Sequence, residues 1–279
     1  MAITAFYQPA SVQEAVKLMY SKRGKGAYVA GGTDLLCELP RPEFVINVRN
    51  LLNQVKRETK GFVIGASVTV SQIECWDALA KADGGLLRQC AKDFASRQIR
   101  NMATIGGNLA SAVPSADFAT PLLVLEAQCV IQGKTGRRTV PLEKFFTGPH
   151  ESVLGKNLLV AIRVPRPASG VRGAFLKIGR NPGDIAVINV STLVKLAGLK
   201  FKKVRIALGA VAPTPVRAYE AEAYLEGKEA TEGHIQRAAE LAARATHPIS
   251  DQRASKAYRK QMCHALTRRA LQQCLGRDA

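Results

Sequence analysis

Two glycine pairs in this sequence could hold a ligand by their backbone. They lie in Ala30-Gly31-Gly32-Thr33-Asp34 and in Thr104-Ile105-Gly106-Gly107-Asn108, about 75 residues apart. A glycine pair allows positive φ and removes the Cβ atoms that would keep a ligand away, so successive N–H groups can form a hollow for an anion. Two such loops predict two clamps on one elongated, dinucleotide-like anion. For either loop alone, a tight turn with a capping threonine remains the alternative.

The first loop runs into a short predicted helix, Leu35–Leu39, which Pro40 ends. A helix that starts near Thr33 adds positive potential toward a phosphate, so a diphosphate bound there needs no lysine. Asp34 is interpreted as a helix-start residue, because its carboxylate would repel a phosphate. The sequence contains neither GxxxxGK(S/T) nor GxGxxG, which excludes a P-loop and argues against a standard Rossmann site.

The histidines and cysteines form no pattern typical of catalysis or metal binding. The histidines at 150, 234, 247 and 264 are scattered, with no Ser-His-Asp or HExxH arrangement. The six cysteines include no CxxC pair, which excludes a zinc ribbon or a ferredoxin motif on this chain. We therefore expect no catalytic side chain and no metal site. Reduced thiols in a cytoplasmic protein are the simplest interpretation.

The charge of the 279-residue chain is strongly positive and uneven. There are 40 Lys and Arg against 22 Asp and Glu, a net charge of +18, and most of the excess lies after residue 140. An acidic protein, an anionic cofactor and a merely solvated surface all remain open. No helix-turn-helix, RNP or zinc-finger pattern occurs, so no nucleic acid is expected. The longest charge-free apolar stretch, Ile185–Val194, is too short to span a membrane, and the N-terminus lacks a basic signal region.

Hydrophobic periodicity divides the chain into three predicted domains, 1–53, 54–170 and 171–279. The first reads as a β–α–β unit whose helix opens at a capping box, Ser11 with Glu14. The second is predicted to contain a helix over about 79–98, an irregular stretch at 96–121, and strands at 128–132 and 157–164. A linker at 165–170 precedes a hairpin, 190–196 with 201–211, and helices over about 218–225, 232–245 and 255–275.

Motifs at five places, in family order, resemble the FAD-binding medium subunit of the molybdenum hydroxylases, the xanthine dehydrogenase and aerobic carbon monoxide dehydrogenase family. The two glycine loops, in the forms VAGGTDLL (29–36) and IRNMATIGGNLA (99–110), are similar to the two FAD loops of this family. PSAD (114–117) continues the second loop. GAFLK (173–177) with DIA (184–186), and PISDQRAS (248–255) with Tyr258-Arg259, resemble segments of its C-terminal domain. The resemblance extends over almost the whole chain.

This resemblance implies an α+β fold. Its vanillyl-alcohol-oxidase or PCMH-type FAD-binding domain would have two α/β lobes, followed by a smaller C-terminal domain with an antiparallel sheet and three helices. It also implies FAD as cofactor and assembly with two partner chains, a [2Fe–2S] iron–sulfur subunit and a molybdopterin-binding large subunit. Electrons would pass from molybdenum through the clusters to this chain's flavin, and then to NAD or another acceptor.

The family's cofactor contacts can be carried over to named positions. Asp117 matches an FAD-binding aspartate, Phe94 an aromatic residue near the isoalloxazine, and Leu159 and Lys177 contacts to the flavin region, where Lys177 would favour electron-rich flavin. On pattern alone, Asp117 could be a helix cap, Phe94 and Leu159 core residues, and Lys177 a solvated strand residue. The implied cofactor-binding residues are Tyr28, Val29, Ala30, Gly31, Gly32, Thr33, Asp34, Leu35, Phe94, Thr104, Ile105, Gly106, Gly107, Asn108, Asp117, Leu159 and Lys177.

The sequence also departs from the family pattern. Residues 177–184 carry a Pro182-Gly183 turn where many relatives have paired arginines or acidic residues, which leaves the role of Arg180 open. The extra cysteine cluster of the hydroxybenzoyl-CoA reductase branch is absent, so no iron–sulfur centre is expected on this chain. Two alternatives remain open: a stand-alone flavin reductase such as a UDP-N-acetylenolpyruvylglucosamine reductase, and a non-enzymatic basic binding module.

Overall fold

The computed structural model describes residues 3–37, 41–82 and 84–277 and begins with a small parallel sheet. Its strands β1 (Ala5–Tyr7), β2 (Gly26–Val29) and β3 (Phe44–Asn47) pair in the order β1-β3-β2. Helix α1 (Val12–Ser21) connects β1 to β2. Ser11 is its N-cap, as predicted, and the Ser11 hydroxyl oxygen accepts a hydrogen bond from the backbone N–H of Glu14. The Glu14 carboxylate accepts from Ala10 N instead of Ser11 N, so the predicted capping box is only half formed.

A five-stranded antiparallel sheet follows. Its strands pair in the order β4-β5-β10-β6-β7, and a separate two-stranded hairpin, β8 with β9, lies between β7 and β10 in the chain. The bounds are β4 (Val55–Glu58), β5 (Gly61–Gly65), β6 (Gln128–Gly133), β7 (Gly136–Pro141), β8 (Phe146–Gly148), β9 (Glu151–Ser152) and β10 (Leu158–Pro165). The predicted strands at 128–132 and 157–164 are therefore present as β6 and β10.

Six short helices fill the connection between β5 and β6, where one long helix and an irregular stretch are predicted. They are α2 (Val70–Cys75), α3 (Asp77–Ala82), α4 (Leu86–Lys92), α5 (Arg97–Met102), α6 (Ile105–Ala110) and α7 (Ala119–Val124). The single helix over 79–98 is wrong: Gly84 and Gly85 both have positive φ, and Ser96 starts a new helix as an extended N-cap. The prediction of an irregular stretch at 96–121 is also wrong, since this range contains the helices α5 and α6. Helices of six residues are too short to show a 3.6-residue period in the sequence.

The C-terminal part is a four-stranded antiparallel sheet followed by three helices. The strands are β11 (Val171–Ile178), β12 (Ile188–Ala197), β13 (Lys200–Gly209) and β14 (Val216–Arg217). The helices are α8 (Tyr219–Leu225), α9 (Glu232–Arg244) and α10 (Lys256–Cys274). The predicted hairpin is confirmed as β12 with β13, turning at Gly198 with φ +59°, and the three predicted helices are confirmed within a few residues.

Two hydrophobic cores support these sheets. The first is shared by both N-terminal sheets and by α1, and the second lies between the C-terminal sheet and helices α8, α9 and α10. Phe175, Leu193 and Ala207 of the C-terminal sheet belong to the first core, whereas Ala174 belongs to the second. Since alternate strand residues face opposite sides, the C-terminal sheet is buried on both faces. Across the described residues, no helix combines the length and apolar character needed to cross a bilayer.

Candidate cofactor site

One cleft brings the two glycine motifs together. It has a volume of about 770 Å³, within the usual range for small-molecule and cofactor sites. One wall is the segment from Gly24 to Leu35, which contains β2 and the first glycine motif. The second glycine motif and Phe94 line another part, and the segment from Thr147 to Asn157 lines the remainder.

The first glycine motif packs directly against Met102, which lies just before the second glycine motif. A Cβ atom at Gly31 would overlap the carbonyl oxygen of Met102, so only glycine allows this approach. Gly32 has a φ of +73°, as expected for a tight turn. The predicted helix at 35–39 is a turn as far as Cys37, with a hydrogen bond from Leu36 N to Gly32 O, and its residues 38–40 lie outside the described part of the chain.

The backbone N–H groups of residues 30–35 are the donors that this cleft offers. Within the described part of the chain, none of these six N–H groups donates a hydrogen bond to a protein acceptor. Residues 30–35 all line the cleft. Unpaired consecutive donors of this kind provide a surface that a diphosphate can satisfy without a lysine or an arginine. The first glycine motif therefore keeps the unpaired donors on which the predicted anion site depends.

The second glycine motif has a different structure from the expected hollow. Thr104 is the N-cap of α6, and its hydroxyl accepts a hydrogen bond from Gly107 N at 3.0 Å. The N–H of Gly106 donates to Ala66 O, and an added Cβ there would lie 2.5 Å from the Ala66 Cβ. Neither Gly106 nor Gly107 has positive φ. These glycines allow close packing of α6. The predicted second hollow for an anion is wrong, because the N–H groups of residues 105–108 already donate to protein acceptors.

The structure brings twelve of the seventeen implied site residues into one cleft. These are Tyr28, Val29, Ala30, Gly31, Gly32, Thr33, Asp34, Leu35, Phe94, Thr104, Gly107 and Asn108. The other five, Ile105, Gly106, Asp117, Leu159 and Lys177, do not line this cleft. Ile105 and Leu159 are core residues with 0% and 3% of their surface exposed, and Gly106 is also buried.

Asp117 and Lys177 form a buried ion pair between the N-terminal part and the C-terminal sheet. The Lys177 Nζ lies 2.7 Å from Asp117 Oδ2, and both side chains are 7% exposed. The Asn189 amide donates to Asp117 Oδ1 at 3.1 Å, and its own oxygen accepts from the Thr120 hydroxyl at 2.9 Å. Burial raises the pKa of the Asp117 carboxyl, and the Lys177 ammonium opposes that rise. Both Asp117 oxygens thus have protein partners.

Lys177 also reaches the turn that carries Phe94. Its Nζ donates to the carbonyl oxygen of Asp93 at 3.2 Å. The Phe94 ring lines the cleft and lies against Phe118, with 5.8 Å between ring centroids. Because the Lys177 charge is paired with the Asp117 carboxylate, the positive potential that Lys177 could supply to a flavin is reduced. Arg180 is mostly exposed and lies 3.7 Å from Asp184.

The wall formed by residues 147–157 is the part of the site that the sequence patterns miss. The Tyr28 hydroxyl donates to Lys156 O at 3.2 Å, and burial raises the pKa of this phenol. The Tyr20 hydroxyl donates to Asn157 Oδ1 at 2.9 Å. His150 lines the cleft with a φ of +61°. These contacts join residues more than 120 positions apart, and the only local signal is the turn composition around His150.

The chemistry of the cleft fits FAD. The six unpaired N–H groups at 30–35 match the acceptor-rich diphosphate. Phe94 offers an aromatic face inside the same cleft, and Asn108 and Ser111 are polar groups along its length. A cleft that combines backbone donors with the aromatic residues Tyr28 and Phe94 suits a long, mostly planar dinucleotide.

Comparisons with known proteins agree with this chemistry. Residues 2–167 match the family described as "FAD binding domain in molybdopterin dehydrogenase", and residues 173–274 match "CO dehydrogenase flavoprotein C-terminal domain". The chain is 34% identical to the carbon monoxide dehydrogenase medium chain of Hydrogenophaga pseudoflava over 98% of each chain. It is 30% identical to the xanthine dehydrogenase FAD-binding subunit of Escherichia coli O157:H7, over 98% of this chain and 96% of that one.

Solved structures give the same result. The fold matches a chain of carbon monoxide dehydrogenase from Hydrogenophaga pseudoflava with a TM-score of 0.95 at 33% identity, covering 100% of this chain and 99% of that one. It matches a chain of quinoline 2-oxidoreductase from Pseudomonas putida 86 with a TM-score of 0.92 at 28% identity, covering 99% and 98%. The predicted family, α+β fold class and FAD cofactor are confirmed, and these matches replace the two alternatives left open by the sequence. The chain belongs to the FAD-binding medium subunits of the molybdenum hydroxylases and is a flavoprotein subunit of an oxidoreductase.

Proposed function

We propose that this chain passes electrons from the iron–sulfur clusters of a partner chain, through FAD, to NAD or another acceptor. A third chain would carry molybdopterin and hydroxylate the substrate. The proposal is supported by family membership and, in this molecule, by one observation above all: the unpaired N–H groups of residues 30–35 line a single cleft with Phe94 and Thr104. The six unpaired thiols favour a cytoplasmic location for the complex.

Bound FAD supplies the redox chemistry, taking up electrons and releasing them to an acceptor. The chain's own residues bind and orient it. We assign the diphosphate to the N–H groups of residues 30–35 and direct contacts to all twelve cleft-lining residues named above. The five buried residues act from behind: Asp117 and Lys177 hold the C-terminal sheet against the cleft, and Ile105, Gly106 and Leu159 shape its walls.

We also propose three domains, an FAD-binding lobe at 1–53, a second lobe at 54–170 and a C-terminal domain at 171–279. Each range contains one main sheet, and the family matches change over between residues 167 and 173. The two lobes share one hydrophobic core, which supports their acting as a single cofactor-binding unit. The second core supports separate packing of the three C-terminal helices.

A glycine replacement tests whether the loop at residues 30–35 holds the diphosphate of FAD. In Gly31→Ala the new Cβ would overlap the Met102 carbonyl oxygen, so the loop must move away from its support. We expect the FAD dissociation constant to rise about tenfold or more, measured by titrating apoprotein with FAD. Gly233→Ala is the matched control, because Gly233 lies in the first turn of α9 with open space around an added Cβ. Equal FAD affinity in the two variants would contradict the assignment of the diphosphate to residues 30–35.

A test of the proposed electron route requires the assembled complex. We expect a tagged chain, expressed in its own host, to copurify with two chains that bring iron and molybdenum. Dithionite-reduced complex should then be reoxidised on adding NAD or an artificial acceptor, followed at about 450 nm, the flavin absorption band. A chain that purifies alone, with FAD but without iron or molybdenum, would refute the proposed route while leaving the cofactor site intact.

A further inference from the structure

We propose that Arg100 is a positioning residue, which holds the turn Asp93–Ala95 so that Phe94 faces the cofactor cleft. The inference rests on the proposed function, since it assigns a role toward FAD. Arg100 itself does not line the cleft and lies in α5, one helix before the second glycine motif. It acts on the site through the backbone of a neighbouring turn.

The contacts of Arg100 converge on that turn. Its Nη1 donates hydrogen bonds to the carbonyl oxygens of Lys92 at 3.3 Å, Phe94 at 3.1 Å and Ala95 at 3.1 Å. Its Nε lies 3.1 Å from a carboxylate oxygen of Glu74 in α2. The Arg100 side chain is only 17% exposed. One guanidinium group therefore satisfies three backbone acceptors while its charge is balanced by a neighbouring helix.

The turn needs such support because its backbone conformation is unfavourable. Helix α4 ends at Lys92, whose carbonyl group therefore lacks a partner from a continuing helix. Ala95 has a φ of +40°, in the left-handed region that non-glycine residues rarely adopt. A charged donor that binds the carbonyls on both sides of Phe94 stabilises this geometry. The direction of the Phe94 side chain follows from the backbone on either side of it.

The C-terminal part supports the same turn at two further points. Lys177 Nζ donates to Asp93 O at 3.2 Å. Gly183 packs so closely that an added Cβ would lie 3.1 Å from the carbonyl carbon and oxygen of Ala95. Phe94 packs on Phe118 within the N-terminal part. Arg100 lies in the same proposed lobe as Phe94 and binds three carbonyl groups of this segment.

The planar guanidinium suits this role better than an ammonium. Its Nη1 faces the turn while its Nε faces Glu74, and the rigid plane fixes the two nitrogens relative to each other. Arg100→Lys keeps a positive charge but has a single nitrogen, which does not reproduce both contacts. Arg100→Gln removes both the charge and the Nη1 contacts. Glu74→Gln keeps the Nη1 contacts and removes only the balancing charge. These three variants separate the geometry of the clamp from its charge.

The experiment measures FAD binding and the environment of the bound flavin. Apoprotein of each variant is titrated with FAD, and flavin fluorescence and visible circular dichroism are recorded on the complex. For Arg100→Gln we expect an FAD affinity about 10-fold to 100-fold weaker, with less fluorescence quenching because Phe94 is no longer fixed. Arg100→Lys should lie between wild type and Arg100→Gln. Glu74→Gln should stay within about threefold of wild type.

A matched control and a double variant complete the test. Arg88→Gln removes another partly buried arginine, on α4 beside Asp77, and should leave affinity and flavin spectra unchanged. If Arg100 acts through Phe94, then adding Arg100→Gln to Phe94→Leu should cost at most about threefold more. Thermal unfolding of each apoprotein reports its folding. Should Arg100→Gln not fold, the same cycle is made with Arg100→Lys.

Two results would overturn the role proposed for Arg100 and leave the proposed function intact. One is wild-type affinity and flavin spectra in Arg100→Gln. The other is an undiminished effect of Arg100→Gln in the Phe94→Leu background, which would mean that Arg100 acts by another route. A wild-type chain that takes up no FAD would instead overturn the proposed function, and this inference with it.

Discussion

Replacing Lys177 by methionine removes an ammonium that lies 2.7 Å from the buried Asp117 carboxylate. Asp117 keeps its hydrogen bond from the Asn189 amide but loses its cation. The carboxylate is too deeply buried for water to replace the lost partner, because its side chain is 7% exposed. The variant must therefore either keep an unpaired buried charge or protonate Asp117, and both options reduce stability near neutral pH.

The expected loss follows from the burial of the pair. Removing one partner of a buried ion pair costs about 3–5 kcal/mol, and the remaining Asn189 hydrogen bond favours the lower end, about 3 kcal/mol. For a chain of this size such a loss lowers the melting temperature by roughly 6–12 °C. The pKa of Asp117, already raised by burial, should rise further without Lys177. The folded variant then binds a proton that the unfolded chain does not, so its stability increases as the pH falls.

Thermal and urea unfolding of the purified subunit, followed by circular dichroism between about pH 5 and pH 8, measures both effects. The deficit of Lys177→Met relative to wild type should shrink toward pH 5. Lys202→Met, at an exposed position of β13, is the control and should change stability by less than about 0.5 kcal/mol. The double variant with Asp117→Asn should be more stable than Lys177→Met alone. A loss below about 1 kcal/mol, with no pH dependence, would refute the buried pair.

Three further changes test other parts of the structure. Burial opposes ionisation of Asp251, but two backbone N–H groups and Arg259 outweigh it and lower the pKa of Asp251 to about 2. The wild-type protein should therefore lose stability between about pH 4 and pH 2, and Asp251→Asn should lack this acid-dependent loss in urea titrations. Ala210→Gly relieves a φ of +64° and should raise the free energy of unfolding by about 1 kcal/mol. Gly106→Ala brings a Cβ within 2.5 Å of Ala66 and should lower the free energy of unfolding by about 1–3 kcal/mol in calorimetry.

The elements that local chemistry controls are predictable from the sequence. Helix α1 begins at Ser11 because a serine hydroxyl caps the N–H of Glu14, and both residues are visible in the sequence. The hairpin of β12 and β13 follows from two apolar runs around Gly198, which adopts the positive φ that such a turn needs. Helix α9 shows a clear periodicity, with Ile235, Ala238 and Ala242 buried on one face. In each case the residues responsible lie within about four positions of one another.

Helix breaks are harder to predict because they depend on single residues within an apolar pattern. The apolar pattern over 79–98 continues through Gly84 and Gly85, whose positive φ ends any helix that reaches them. Short helices such as α5 and α6 have no full amphipathic period to detect. The second glycine motif shows the same difficulty: the residues suggest a hollow, but Gly106 is required by contact with Ala66, which lies 40 positions earlier.

Residues that act across the fold are not derivable from spacing. The first glycine motif carries its own signal, since its turn and open N–H groups are local. Lys177 and Asp117 are singled out only through the family resemblance, and no sequence pattern indicates that they bind each other from 60 positions apart. The wall at 147–157 has no signal at all beyond a turn, because its contacts with Tyr20 and Tyr28 depend on how the sheets pack.

The Asp117 network has a consequence for engineering chimaeras of these subunits. The family matches change over between residues 167 and 173, a natural place to join halves from two relatives. Such a junction leaves Asp117 in one half and puts Lys177 and Asn189 in the other. A hybrid is compatible only when its second parent contributes a cation and an amide at these two positions. Recombination at the linker is thus restricted by three side chains, although the linker itself imposes no such requirement.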